Sequence, residues 1–102
     1  MTLAYARLSY RIGLLAGAIR YAARGAAGEA QADSLMEVVR YRSTHGMLTP
    51  ELVQVVKTIA LGIPGVNTET FQRAEALYED DISSMLLNKL IEKAVKEDGN
   101  GR

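Results

Sequence analysis

The sequence predicts an all-α fold, a compact bundle of four helices with a long last one, or five helices if that last one breaks. Three observations carry this expectation. Apolar residues recur at spacings of three and four along most of the chain, which is the period of a helix with one buried side. Loop-forming clusters occur at three places, Gly25 to Gly28, His45 to Thr49 around Gly46, and Gly62 to Asn67. With 48% hydrophobic and 24% charged residues in 102, the chain is too apolar to stay disordered and long enough for one modest core. A single helical domain over residues 1–98 follows, with residues 99–102 as a frayed tail.

The first segment runs from about Leu3 to Arg24. Tyr5, Leu8, Ile12, Leu15, Ile19 and Ala22 form one continuous apolar seam on it. Leu3, Tyr10, Leu14, Gly17 and Tyr21 form a second stripe well around the cylinder, and Ser9, Gly13 and Gly17 add small residues at a spacing of four. A helix apolar on more than one face is either central to its own domain or shared with another subunit.

The second segment is expected to begin at Asp33 or Ser34, where Ser34 and Glu37 form an S-x-x-E capping box, and to end near Thr44. Leu35, Val38 and Val39 form its inner side, with Met36 and Tyr41 beside them. The third reads Thr49 as cap and Pro50 as first helical residue, buries Leu52, Val56, Ile59 and Ile63, and stops at Gly62. Its β-branched residues also suit a strand, but the Pro-Glu start and the helical spacing outweigh them. The fourth begins at Asn67 or Thr68 and extends to about Lys96, unless Asp80 and Asp81 cap a fifth helix. Phe71, Ala74, Tyr78, Ile82, Met85, Leu86, Leu90 and Val95 mark its apolar positions.

Twelve basic and twelve acidic side chains cancel in sum but not in place. Residues 1–28 carry Arg7, Arg11, Arg20 and Arg24 with no acid before Glu29, whereas residues 51–81 carry six acids against Lys57 and Arg73. The two blocks should attract. Arg20, Arg24, Arg40, Arg42 and His45 lie near helix ends, where the dipole favours a cation; Arg7 and Arg11 do not, and need another partner. That partner is solvent, the acidic block across a subunit or domain contact, or a bound phosphate.

Several chemistries are excluded or weakened by the same residues. Without Cys there are no disulfides, thiolate metal sites or cysteine nucleophiles, which suits a reducing, cytoplasmic setting. The apolar run Ile12 to Ile19 is far short of the about 20 residues a membrane span needs. The first 28 residues loosely imitate a targeting signal, but Arg20 and Arg24 interrupt it. His45, the single histidine, sits where an imidazole caps a helix, and no nucleophile elbow accompanies Ser43 or Ser84. Of Glu75, Glu79, Asp80 and Asp81, only Glu75 and Glu79 converge on one helix face, so no metal site is expected. A helix-turn-helix reading of the third and fourth segments fails because the second would offer acids to DNA phosphates. The GxxG of Arg24 to Gly28 lacks the sheet a KH domain requires.

Two functions remain. The first is a non-enzymatic module that oligomerises and binds another protein, as an adaptor or inhibitor, through Tyr5, Leu8, Ile12, Gly13, Leu14, Leu15, Gly17 and Ile19 of the first helix. The second is a nucleotide or single-stranded nucleic-acid binder in which Arg7, Tyr10, Arg11, Arg20, Tyr21 and Arg24 supply phosphate clamps and stacking faces. Neither needs a cofactor.

Overall fold

A computed structural model describes the backbone of residues 2–100 and the side chains of residues 2–86, together with Asn88, Lys89 and Lys93. Four helices follow one another, α1 (Leu3–Ala22), α2 (Gly25–Thr44), α3 (Pro50–Ala60) and α4 (Thr68–Asn100), and no strand forms among the described residues. The all-α expectation holds. No helix is long and apolar enough to cross a membrane, among the described residues.

The Thr2 hydroxyl caps α1 by accepting from the Tyr5 N–H at 3.1 Å. Its seam then enters the core: Ile12, Leu15 and Ile19 are fully buried, and Tyr5, Leu8 and Ala22 pack against them half-buried. α1 is the hub of the bundle. It lies along both α4 and α2 and touches α3, while those three barely approach one another. The first of the two readings of a many-faced helix therefore applies: it is central to its own domain.

α2 starts at Gly25, eight residues before the earliest expected point. Gly25 turns the chain with a φ of +76°, open to glycine at no steric cost, and the alanine-rich stretch behind it winds straight into helix. Gly28 does not break that helix; a Cβ there would lie 3.3 Å from the Pro64 carbonyl oxygen, so the small residue admits the following loop. Ser34 and Glu37 are accordingly mid-helix and exposed rather than a cap. At the other end Gly46 takes a φ of +67°, and the Met47 N–H donates to the Arg42 carbonyl at 2.8 Å, closing the last turn. His45 Nδ1 lies 2.8 Å from the Tyr41 carbonyl oxygen and its ring stacks on Tyr41, the capping role expected of it.

Pro50 opens α3 as anticipated, but Thr49 before it makes no side-chain capping bond, and the buried face is Val53, Val56 and Ala60. Ile59, expected inside, is 55% exposed. Ile63 is buried, though beyond the helix end, because the chain turns at Leu61 and Gly62. In α4 the Asn67 side chain accepts from the Thr70 N–H at 3.2 Å while the Asn67 N–H donates to Thr70 Oγ1 at 3.3 Å, a reciprocal cap. Phe71 and Ala74 then complete the core, and the described side chains from Ser83 onward are exposed. The residues expected to fray at the tail, 99–102, lie outside those whose side chains are described.

Candidate functional site: an apolar groove between α1 and α4

The second stripe of α1 remains uncovered. Leu3 is 59% exposed and Tyr21 is 92% exposed, and between them Gly13 and Gly17 face open space. Against α4 this stripe forms a groove of about 410 Å³, with Gly13, Leu14, Gly17 and Tyr21 on one wall and Ala74 and Leu77 on the other. A Cβ built on Gly13 or Gly17 meets nothing within 4 Å. Nothing in the chain's own packing therefore requires glycine there, although each costs about 1 kcal/mol of helix stability relative to alanine.

The groove separates the interface residues expected from sequence into two sets. Gly13, Leu14 and Gly17 belong to it. Ile12, Leu15 and Ile19 do not: they are the protomer's own core, and no partner can reach them without unfolding it. Tyr5 and Leu8 pack against that core, and the Tyr5 hydroxyl is further occupied, donating to the Ser43 carbonyl at 3.2 Å and accepting from the Leu48 N–H at 3.4 Å.

One arginine of the basic block finds the acidic block within the same chain. Arg11 Nε donates to both oxygens of Glu75 at 3.0 Å, and Lys57 Nζ of α3 approaches the same carboxylate at 3.5 Å. Arg11, unexplained by the helix dipole, is thus a clasp between α1 and α4. Arg20 pairs with Asp33 at 2.7 Å and lies 3.8 Å from Glu29, both on α2. The residues of the expected phosphate cluster do not gather in one place. Arg11 and Arg20 already hold carboxylates, Tyr10 donates to Asp81, and α1 rises about 23 Å from Arg7 to its end at Ala22, with Arg24 beyond it. Only Tyr21 and Arg24 come together, beside Arg73 and Glu69 at the start of α4. Arg7 and Arg24 make no ion pair among the described residues.

The surroundings displace the titration of Tyr10. Its hydrogen bond to Asp81 raises the phenol above its ordinary value of 10.0, with lesser help from desolvation and from the carboxylate charge. A raised folded-state value means that the contact stabilises the fold below the ordinary tyrosine range and is lost as pH climbs through the displaced value. Ultraviolet titration should find the Tyr10 phenol ionising above 10.0, and Asp81→Asn should bring that transition down; a late transition unchanged in that variant would contradict the assignment.

Several of the residues considered for catalysis or metal binding are engaged elsewhere. Ser43 Oγ is 2.9 Å from Ser9 Oγ, while His45 caps α2. Glu75 is held by Arg11 and Lys57, whereas Glu79 is exposed, and no group of three His, Asp or Glu gathers among the described residues.

Arg73 and Leu77, the α4 contribution to the groove, escape a reading of the sequence. Leu77 stands outside the main apolar repeat of its helix, and its 54% exposure places it at the surface beside α1. Val38 and Tyr41, expected on the inner side of α2, are instead exposed and form a second apolar area with Val55 and Ile59 of α3, since the period alone does not tell which apolar positions a neighbour covers. Compared with protein-family models, curated proteins and solved structures, the chain matches none.

Proposed function

We propose that this chain is a non-enzymatic protein-docking module that associates through the α1–α4 groove, acting as an adaptor or inhibitor by occupying a partner's surface. The observation that carries the reading is the pair of glycines on the groove wall. Two mid-helix glycines lower the stability of α1 and leave a trough that admits another backbone or side chain closely. Around them stand the features of a docking surface: an apolar lining, a wholly exposed Tyr21 and an exposed Leu77. We read α4 as one uninterrupted helix through Asp80 and Asp81, so that Met85, about half-exposed and about three turns beyond Ala74 on the same helix face, extends the same apolar surface. The cysteine-free composition suits a reducing, cytoplasmic setting.

Gly17→Leu is the direct test. Its side chain enters open space, so the circular dichroism spectrum and unfolding midpoint should be preserved or slightly improved. The groove, however, is filled. Light scattering across micromolar concentrations should show association in the parent chain and its loss in the variant. A parent chain that stays monomeric throughout, or a variant that associates equally well, would overturn the proposal.

A further inference from the structure

The groove has two ends of opposite charge. At the C-terminal end of α1 stand Arg24 and Arg73; about 10 Å further along α4 come Asp81, which holds Tyr10 in the N-terminal half of α1, and the exposed Asp80, seven residues from Arg73 and so on the same helix face. Glu69, paired with Arg73 at 2.8 Å, and Arg7 offset part of each end without reversing its sign. The Arg73 to Glu69 pair is solvent-exposed on both sides and holds Arg73 only weakly.

From this polarity we infer that the groove's occupant is the same groove of a second copy. The inference rests on the docking reading above and adds its geometry. Two antiparallel helices present a face that a copy can cover about either of two dyads in the interface plane. A dyad parallel to the helices lays α1 over the second copy's α4 and stacks the arginine ends on each other. A dyad perpendicular to them lays each helix antiparallel over its own counterpart and sets the arginine end over the aspartate end. Charge selects the perpendicular dyad. The register that places Arg73 opposite the second copy's Asp80 puts Leu77 beside the axis, where its exposed side chain meets its own image. It also brings the glycine face of α1 against the second copy's α1, which accounts for the open space over Gly13 and Gly17.

Charge reversal tests the geometry. Arg73→Asp and Asp80→Arg each create two symmetry-related repulsions, so each should weaken self-association by about tenfold or more in sedimentation equilibrium. The double variant R73D/D80R should restore it to within a factor of about three, a rescue that no general structural defect produces. Both residues are exposed, so the variants keep the fold. Independently, Leu77→Cys in this cysteine-free chain should give a covalent dimer under mild oxidation, as side chains beside a dyad approach to disulfide distance. If the parent associates and Gly17→Leu abolishes this, but the double variant is not rescued and the Leu77→Cys variant does not cross-link, the dyad is wrong and the docking reading stands. Absence of association in the parent overturns both.

Discussion

Gly65→Ala is expected to destabilise the chain by at least about 3 kcal/mol, enough to lower the unfolding midpoint by more than about 12 °C. Two independent costs meet at this position. The backbone φ is +93°, outside the range that L side chains adopt readily. A Cβ would also stand 2.2 Å from the Ala22 carbonyl oxygen and 2.8 Å from Arg24 Cγ. The arginine stem can swing away, but the carbonyl cannot, because it belongs to the last turn of α1. That turn is tied to the loop by the Arg24 N–H donating to the Pro64 carbonyl at 2.8 Å, and α2 rests on the same proline through Gly28. Relieving the clash therefore separates α1, α2 and the α3–α4 loop together. Gly25→Ala is the control. Its φ of +76° is strained for alanine, yet nothing lies within 4 Å, so the loss should be only about 1 kcal/mol. Equal losses at the two positions would show that the close approach to Ala22 contributes nothing.

Leu15→Ala should cost about 4 kcal/mol, read as a lower urea midpoint with an unchanged denaturant slope. Leu15 is fully buried between Ile12 and Ile19 on the helix that all the others pack against. The cavity would open where α1 meets its neighbours, and regular helices on several sides prevent collapse into it. Against a total stability of about 5–15 kcal/mol for a domain of ordinary size, this is a large fraction. Leu14, the next residue, provides the contrast. It is half-exposed on the groove wall, so Leu14→Ala should cost less than about 1.5 kcal/mol and act mainly on association. A loss at Leu14 matching that at Leu15 would mean the groove belongs to the core.

These contrasts separate what local pattern encodes from what it leaves open. The inner seam of α1 is legible because six apolar residues keep one helical phase over the whole segment, and a surface so continuous has to be covered. The caps at Thr2 and Asn67 and the terminating Gly46 are similarly readable or nearly so, since each depends on atoms three to five residues away, and the Pro50 start needs only the proline's own fixed φ. The start of α2 misleads for a local reason too. Gly25 to Gly28 has the composition of a loop, but a single positive-φ residue suffices for the turn, and the second glycine serves a contact with Pro64 that lies 36 residues onward.

The groove is half legible. Gly13, Leu14 and Gly17 stand out as surplus apolar and small positions on α1, but their phase does not reveal that α4 supplies Leu77 and Arg73 as the facing wall. Nor does it divide the eight interface candidates into core and surface, because both stripes are apolar and only the arrival of neighbouring helices covers one of them. The same holds for α3, whose apolar arc is wider than the strip its neighbours cover: Val53 is inside and Ile59 outside. Arg7 through Arg24 read as a cationic block free for phosphate, yet Arg11 and Arg20 close on Glu75 and Asp33 once the helices assemble. Chain order thus encodes the helices, their ends and the inner seam, all of which depend on neighbours within a turn or two. Which stripe stays wet and which charges find partners are decided by contacts between helices up to 71 residues apart, as Tyr10 and Asp81 are, and these exist only when the bundle has closed.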